Sequence, residues 1–372
     1  MIYLDYAANT PVDKEVLKVF DQATMKYIAN PNSSHDLGKL AKEEIDKVSE
    51  NISKYFDTSK ENVIYTSGAS ESNNLVIKGV VEKNKDKGKH IIISAVEHSS
   101  IIAPCNYLAN LGYDISIIPL TKDGIVNIEV LKEELRDDTI LVSICSVDSE
   151  LGTIQPIEEI AKIVKEYPNC IFHTDATQAI GKIKQDYSLV DFITFAPHKF
   201  FGLNGFGVLI NKNNNVIIPI IHGGKSTTIY RSGTPVTANV IALNKAFDLA
   251  INNLDTRYNY IKELNTILRE KLSKNNNVHI NSPLNTIPNT LNISLIGIDS
   301  KEVVKELSKR GIFLSTNTAC SLENSISKSV LALTNDEDLA SNTIRISISH
   351  LTTKKEINIF LKELEKILKN II

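Results

Sequence analysis

The chain has 372 residues, 42% hydrophobic and 23% charged, and its 41 Lys and Arg against 44 Asp and Glu leave a formal net charge of −3. That length exceeds what one core ordinarily serves and predicts two domains, while the near-neutral charge, with no long basic run, argues against a nucleic-acid surface or a polybasic membrane patch. The four cysteines, Cys105, Cys145, Cys170 and Cys320, are widely spaced and show no metal-ligand pattern, which suits a reducing compartment better than a disulfide framework.

In chain order, the opening Met-Ile-Tyr-Leu-Asp reads as a strand and lacks the charged-then-apolar layout of a signal peptide. No apolar run approaches the roughly 20 residues that span a bilayer, so the expectation is a cytoplasmic protein. A strand at 63–66 runs into Ser-Gly-Ala-Ser-Glu-Ser-Asn-Asn at 67–74. Small residues at a strand-to-helix turn leave backbone N–H groups free, and the helix dipole favours an anion there, although an ordinary N-cap looks similar. Segment 91–96 reads as a strand followed by Glu97-His98, which places an imidazole at the same sheet edge. Segments 115–120, 139–145 and 192–195 read as further buried strands, and 157–167 carries apolar residues at helical spacing. This alternation predicts an α/β protein with a mostly parallel sheet between helices, where ligands gather at the strand ends.

Residues 252–277 read as one long helix, after which the composition shifts. Strands at 290–295 and 343–349 and helices at 300–310 and 353–370 make a smaller α+β unit. The expected division is a large cofactor-binding domain over 15–250 and a small domain of 1–14 with 251–372.

Two residues carry the strongest chemistry. Lys199 follows the apolar strand at 192–195 and precedes a glycine-rich turn, and it should be more enclosed than its charge normally allows. A depressed pKa would make such an amine nucleophilic, fit for a Schiff base with an aldehyde cofactor. Asp175 lies just past another apolar strand, 170–172. A strand-end acid that keeps a pyridine nitrogen protonated, with a strand-end lysine that takes an aldehyde, is what pyridoxal 5'-phosphate needs. Either residue alone is equally a turn residue without a shared task. Cys320 sits in the small, polar segment 315–321, followed by a loop-like 322–328. Such a thiol is accessible, unlike Cys145 or Cys170 on apolar strands.

Taken in order, segments 3–11, 30–35, 67–74, 97–98, 152–156, 173–178, 198–199, 231–234, 318–320 and 344–345 give the chain a resemblance to the NifS-like cysteine desulfurases. These are pyridoxal-phosphate enzymes of the class V aminotransferase group, fold type I. The resemblance implies that Lys199 carries the cofactor aldehyde, Asp175 pairs with the pyridine nitrogen and Gln178 reaches the phenolic oxygen. His98 would stack on the ring and shuttle protons. Ala69, Ser70 and His198 would cradle the phosphate together with Thr234 from a partner subunit of a homodimer. Arg345 would take the carboxylate of L-cysteine through its planar fork, and Cys320 would attack the substrate sulfur and leave as a persulfide. L-alanine would be the product. The sulfur would pass to an acceptor protein, whether an iron–sulfur scaffold, a tRNA-thiolation protein or another carrier.

The chain also departs from the family pattern. Asp148 and Ser149 replace two asparagines, and Ser149 stands near the expected phenolic oxygen. Ala196 replaces a phosphate-binding serine, the Glu-Arg-Gly segment before Arg231 is absent, and His350 occupies the place of a second arginine. These departures leave open a selenocysteine lyase, a β-lyase, an aminotransferase, or a weakly active paralogue that works through a protein partner.

Overall fold

The structure, a computed structural model, describes residues 1–224, 226–316 and 326–371. Its central sheet has seven strands in the spatial order Val63–Thr66, Gly207–Asn211, Phe192–Phe195, Ile171–Asp175, Thr139–Ser143, His90–Ser94 and Asp114–Ile118. All neighbouring strands are parallel except where Gly207–Asn211 runs against both of its neighbours. Alternate side chains of each strand pack on opposite faces of the sheet: Ile92, Val142, Phe172 and Ile193 on one face, Ile91, Leu141, Phe192 and Leu209 on the other. A sheet buried on both faces needs continuous apolar runs, which is how these strands read in the sequence.

Several boundaries differ from expectation. In chain order Thr237–Asn252 is one helix, and Leu254–Leu272, shorter than the helix expected over 252–277, is the next. They meet at Asn253, whose side-chain amide caps the first helix by donating to the Leu249 carbonyl at 2.8 Å. The second stops where Asn275 folds its own side chain onto the Asn277 N–H at 3.0 Å, a turn that competes with helix. The strand expected at 170–172 runs over Ile171–Asp175, so Asp175 is its last residue rather than one beyond it.

A second core gathers Ile2 and Leu4 with Ile261, Leu291, Ile344 and Phe360. It packs an antiparallel sheet ordered Thr343–Ser347, Thr290–Leu295, Val278–Ile280 against helices Ser300–Lys309 and Lys354–Ile371. On this basis we propose a small domain of residues 1–14 and 251–372 beside a large one of 15–250. The N-terminal segment crosses between the two cores. Ile2–Tyr3 pairs with Ile312–Phe313, Asp5 bridges to Ser347, and Thr10 and Asp13 donate their N–H groups to the carbonyls of His198 and Phe201. Among the described residues no helix is long and apolar enough to cross a membrane.

Candidate active site

A cleft of about 360 Å³ opens where the parallel strands end. Each strand delivers its residues through the loop that follows it: Ala69 and Ser70 after Val63–Thr66, His98 after His90–Ser94, and Ser149 after Thr139–Ser143. Asp175 and Gln178 come from the end of Ile171–Asp175, and His198 and Lys199 from the short 3-10 turn Pro197–Lys199 after Phe192–Phe195. Arg345, from the small sheet, closes the wall. Thr234, expected to serve the site of a partner subunit, is exposed and not part of this wall, and Cys320 lies outside the described residues. Gly207 makes room for the first loop. A Cβ there would come within 2.4 Å of the Gly68 carbonyl carbon, so only glycine lets the 67–70 turn fold over the antiparallel strand.

Lys199 is half-buried rather than enclosed. Its ammonium donates to the carbonyl oxygens of Ala7 at 2.9 Å and Ala8 at 2.6 Å, on the crossing N-terminal segment. Asp175 accepts from the Thr177 N–H at 2.9 Å and from the Asn73 amide at 2.8 Å. The same amide nitrogen donates to Ser100 Oγ at 2.8 Å, and the Ser100 hydroxyl lies 2.8 Å from His98 Nδ1. The Ser100 backbone N–H also donates to His98 Nδ1, at 3.1 Å. A backbone N–H can only donate, so Nδ1 is the acceptor and the neutral ring carries its proton on Nε2. Burial depresses the His98 pKa; the Asp175 charge opposes that and the Lys199 charge adds to it. Sequence reasoning gave no role to Asn73 or Ser100. Helix Ala69–Asn84 brings Asn73 to Asp175 across 102 positions, and no local pattern announces that contact.

The N-terminus of helix Ala69–Asn84 could hold an anion. The Gly68 carbonyl takes its first bonds from Glu71 and Ser72, which leaves the Ala69 and Ser70 amides at the open end of the helix dipole. Glu71 braces the turn by accepting from the Ser67 N–H at 2.8 Å and from Arg231 Nε at 2.8 Å. His198 Nδ1 and Thr177 Oγ1 are buried and have no hydrogen-bond partner among the described residues. Burial first, then the charges of Lys199 and Lys182, lower the His198 pKa to about 4, so that ring is neutral.

Gln178 is locked at both ends of its amide. Its Nε2 donates to the Ala7 carbonyl at 3.0 Å, and its Oε1 accepts from Lys182 Nζ at 2.5 Å. An amine that donates on one side and a carbonyl that accepts on the other permit only this orientation, which leaves the second N–H of Nε2 as a donor. Enclosure, with the charges of Lys199 and Arg345, lowers the Lys182 pKa to about 7. Lys182 is a further residue that sequence reasoning missed; a lysine four residues after a glutamine reads as a helix or turn surface.

Arg345 is almost fully buried at 1% exposure. It donates to Asp5 Oδ1 at 2.9 Å and to the Ser149 carbonyl at 3.1 Å, and its Nε has no partner among the described residues. Glu97, next to His98, accepts from Ser94 Oγ at 2.5 Å and the Cys145 N–H at 2.7 Å, and burial pushes its carboxyl up to about 8. It is therefore a neutral acid near pH 7. Burial also pushes Cys105 and Cys170 up to about 12 and Cys145 well above its ordinary value, so these thiols are not nucleophiles at neutral pH.

A family model described as aminotransferase class-V matches residues 2–360. The chain belongs to the class-V aminotransferase family. Cysteine desulfurase IscS of Dictyoglomus turgidum is 38% identical, over 100% of this chain and 95% of that protein. Among solved structures, a NifS-like protein superposes with a TM-score of 0.93 at 32% identity, covering 99% of each chain. SspA, solved in complex with cysteine, superposes at 0.83 and 30% identity, covering 95% of this chain and 100% of that one. The α/β fold with a mostly parallel sheet is that of these class-V structures.

The departures from the class-V pattern have local consequences here. Ala196 is fully buried. Asp148, where the family has asparagine, accepts from Ser329 Oγ at 2.9 Å and from the Glu150 N–H at 3.2 Å. Burial and then the Glu150 charge raise its pKa to about 7. Glu150 in turn accepts from the Ser327 hydroxyl, which also caps helix Lys328–Thr334. His350 packs edge-on against Phe201, ring centres 4.5 Å apart, instead of offering a second guanidinium.

Proposed function

We propose that the chain is a pyridoxal-phosphate-dependent cysteine desulfurase, which converts L-cysteine to L-alanine and holds the sulfur as a persulfide on Cys320 for an acceptor protein. The observation that carries this reading is the convergence of Lys199, Asp175 and Arg345 on one cleft. The residues suit the cofactor. The open amides of Ala69 and Ser70 and the unpartnered His198 Nδ1 and Thr177 Oγ1 await an anion with several acceptor oxygens, and Asp175 presents a carboxylate. When bound, pyridoxal phosphate supplies an aldehyde for an amino group and a ring that accepts electrons.

The protein's own groups then have distinct tasks. Asp175, fixed by Asn73 and Thr177, would keep a proton on the pyridine nitrogen of the bound cofactor. Gln178, fixed by Lys182 and Ala7, donates to the phenolic oxygen. Neutral His98 would offer its Nε2 proton toward the bound cofactor, and Lys199 would supply the amine that holds its aldehyde. Arg345 orients the substrate carboxylate. Cys320 attacks the substrate sulfur: a Sγ–S bond forms as the C–S bond of cysteine breaks, and the released carbon takes up a proton to give alanine.

The proposal includes a homodimer that places Thr234 in the partner's phosphate site. Thr234 is exposed and flanked by exposed apolar residues, Ile229 and Val236, with Ile220 and Ile221 also exposed; these support a subunit contact there. The deciding experiment incubates the purified protein with pyridoxal phosphate and L-cysteine, quantifies alanine and maps the persulfide by mass spectrometry. Alanine with a persulfide on Cys320 is expected. A keto acid with no persulfide would replace this reading with an aminotransferase.

A further inference from the structure

Arg345 already holds a carboxylate. Its NH2 group donates to Asp5 Oδ1 at 2.9 Å, and the other Asp5 oxygen accepts from the Ser315 hydroxyl at 2.8 Å. Ser315 is itself held against the arginine strand, because the Arg345 N–H donates to its carbonyl at 2.8 Å. Asp5 and Arg345 lie 340 positions apart, joined because Asp5 bridges to Ser347 on the same strand. A guanidinium so deeply buried would be costly without a counter-charge, and Asp5 provides one.

Arg345 is not saturated by these contacts. A guanidinium has five N–H donors. One goes to Asp5 and one to the Ser149 carbonyl, while Nε is buried without a partner among the described residues. A second carboxylate can therefore dock, but it either displaces Asp5 or shares the guanidinium against the charge of Asp5. Like charges at that spacing in a low-dielectric site disfavour simultaneous binding.

We propose that Asp5 is a built-in carboxylate competitor on Arg345, a specificity-determining residue that sets how tightly the substrate carboxylate is held. This rests on the proposed role of Arg345 as the carboxylate site. A ligand anchored only through its carboxylate cannot readily overcome the competition. An amino acid can, because the aldehyde of the bound cofactor would hold its amino group while its carboxylate engages Arg345, so ligands with both groups are selected.

The test uses the holoenzyme and three ligands: L-alanine, its decarboxylated counterpart ethylamine, and propionate, which lacks the amine. Binding is read from the cofactor's visible spectrum, and for propionate from inhibition of turnover. Asp5→Asn keeps an acceptor for Arg345 and removes the charge. It should tighten L-alanine about fivefold to tenfold, leave ethylamine unchanged, lower the KM for L-cysteine and make propionate an inhibitor. L-alanine binding that is unchanged or weaker in a folded Asp5→Asn protein would overturn the proposal and make Asp5 a structural strut. Should that variant fail to fold by thermal melt, Asp5→Ser repeats the measurement with the same expected direction. Arg345→Ala tests the underlying reading separately: it should erase the preference for L-alanine over ethylamine. If the preference survives, Arg345 is not the carboxylate site and the proposal falls with it.

Discussion

The two sides of the cleft are built in different ways. On the cofactor side, Lys199, Asp175, His98 and the 67–70 turn each lie at or just beyond the end of a strand of one sheet, and Asp175 and His98 have short-range bonds, to Thr177 and Ser100, beside their longer-range ones. On the substrate side, Arg345, Ser149, Asp5 and Ser315 come from three distant parts of the chain, and the side-chain contacts that join those parts span 196 positions or more. A sheet edge gives fixed geometry at little cost, because the strands are already ordered by their own cores. A site assembled across two cores depends on how those cores meet, which is where specificity can be altered.

The largest effects should separate the two sides. Lys199→Ala should lose the covalent hold on the cofactor, so borohydride fixes no label at that position, and turnover should fall by roughly a thousandfold or more. Cys320→Ala should lose alanine production to a similar extent, yet keep the resting spectrum and the spectral change on adding L-cysteine. Its missing thiolate acts only on the substrate sulfur. Mutation of Cys105, Cys145 or Cys170 should leave turnover in place wherever the fold survives. Full activity in Cys320→Ala would remove the desulfurase mechanism and point to a β-lyase or aminotransferase.

Next in size is a stability effect beneath the substrate side. The folded-state pKa of Asp148, about 7, lies above its ordinary 3.8, so the folded protein holds that proton more tightly than the unfolded chain. The stability this contributes is complete below about pH 4 and lost as pH rises through about 7. Asp148→Asn carries no such loss. Its advantage over the parent in chemical denaturation should therefore grow between pH 4 and pH 8, by about 2–4 kcal/mol. A difference that stays flat with pH would mean that Asp148 remains ionised throughout, stabilised by Ser329 and the Glu150 N–H.

A smaller effect belongs to the cofactor side. Lys182→Met removes the donor that fixes Gln178, so its amide gains a second orientation and the donor to the phenolic oxygen is no longer enforced. Affinity for pyridoxal phosphate, measured by titration with Lys199 intact, should fall about tenfold, or about 1.4 kcal/mol. Lys182→Arg should restore part of it. Unaltered affinity in the methionine variant would show that Ala7 alone suffices to orient Gln178.

The same contrast explains what was legible in the sequence. Strand-end motifs announce themselves because an apolar run, a break and a polar residue lie within ten positions of one another, as at 170–178 and 192–199. Strand Gly207–Asn211 gives no such signal of its direction, since an apolar run reads alike in a parallel or an antiparallel neighbour. Helices Lys14–Lys26, Asp36–Tyr55 and Thr237–Asn252 are not among the elements read from the sequence, and the helix expected over 252–277 ends earlier, at Leu272. Asn73, Lys182 and Asp5 escaped because their roles come from contacts, not spacing. The depth of Lys199 was overestimated, because the carbonyls of Ala7 and Ala8 that receive it belong to a segment 191 or more positions away.

The smallest expected effects test whether the two departures from the family pattern weaken the cofactor's hold. Ser149 lines the cleft, and its carbonyl is already committed to Arg345, so only its short hydroxyl is left to face the cofactor. Ser149→Asn extends an amide donor into that space and should slow cofactor loss on dialysis by a factor that corresponds to about 0.5–1.5 kcal/mol. Ala196 is different, because it is fully buried immediately before the Pro197–Lys199 turn. A hydroxyl added there gains a bond only if it reaches the phosphate, and otherwise it carries the penalty of an unpaired buried donor. Ala196→Ser should therefore slow cofactor loss less than Ser149→Asn does. Faster loss from Ala196→Ser would mean that the alanine is the residue this turn accommodates and that the phosphate is held without position 196. If both variants retain the cofactor as the parent does, the neighbouring donors, His198 Nδ1 and Thr177 Oγ1 first among them, already satisfy it.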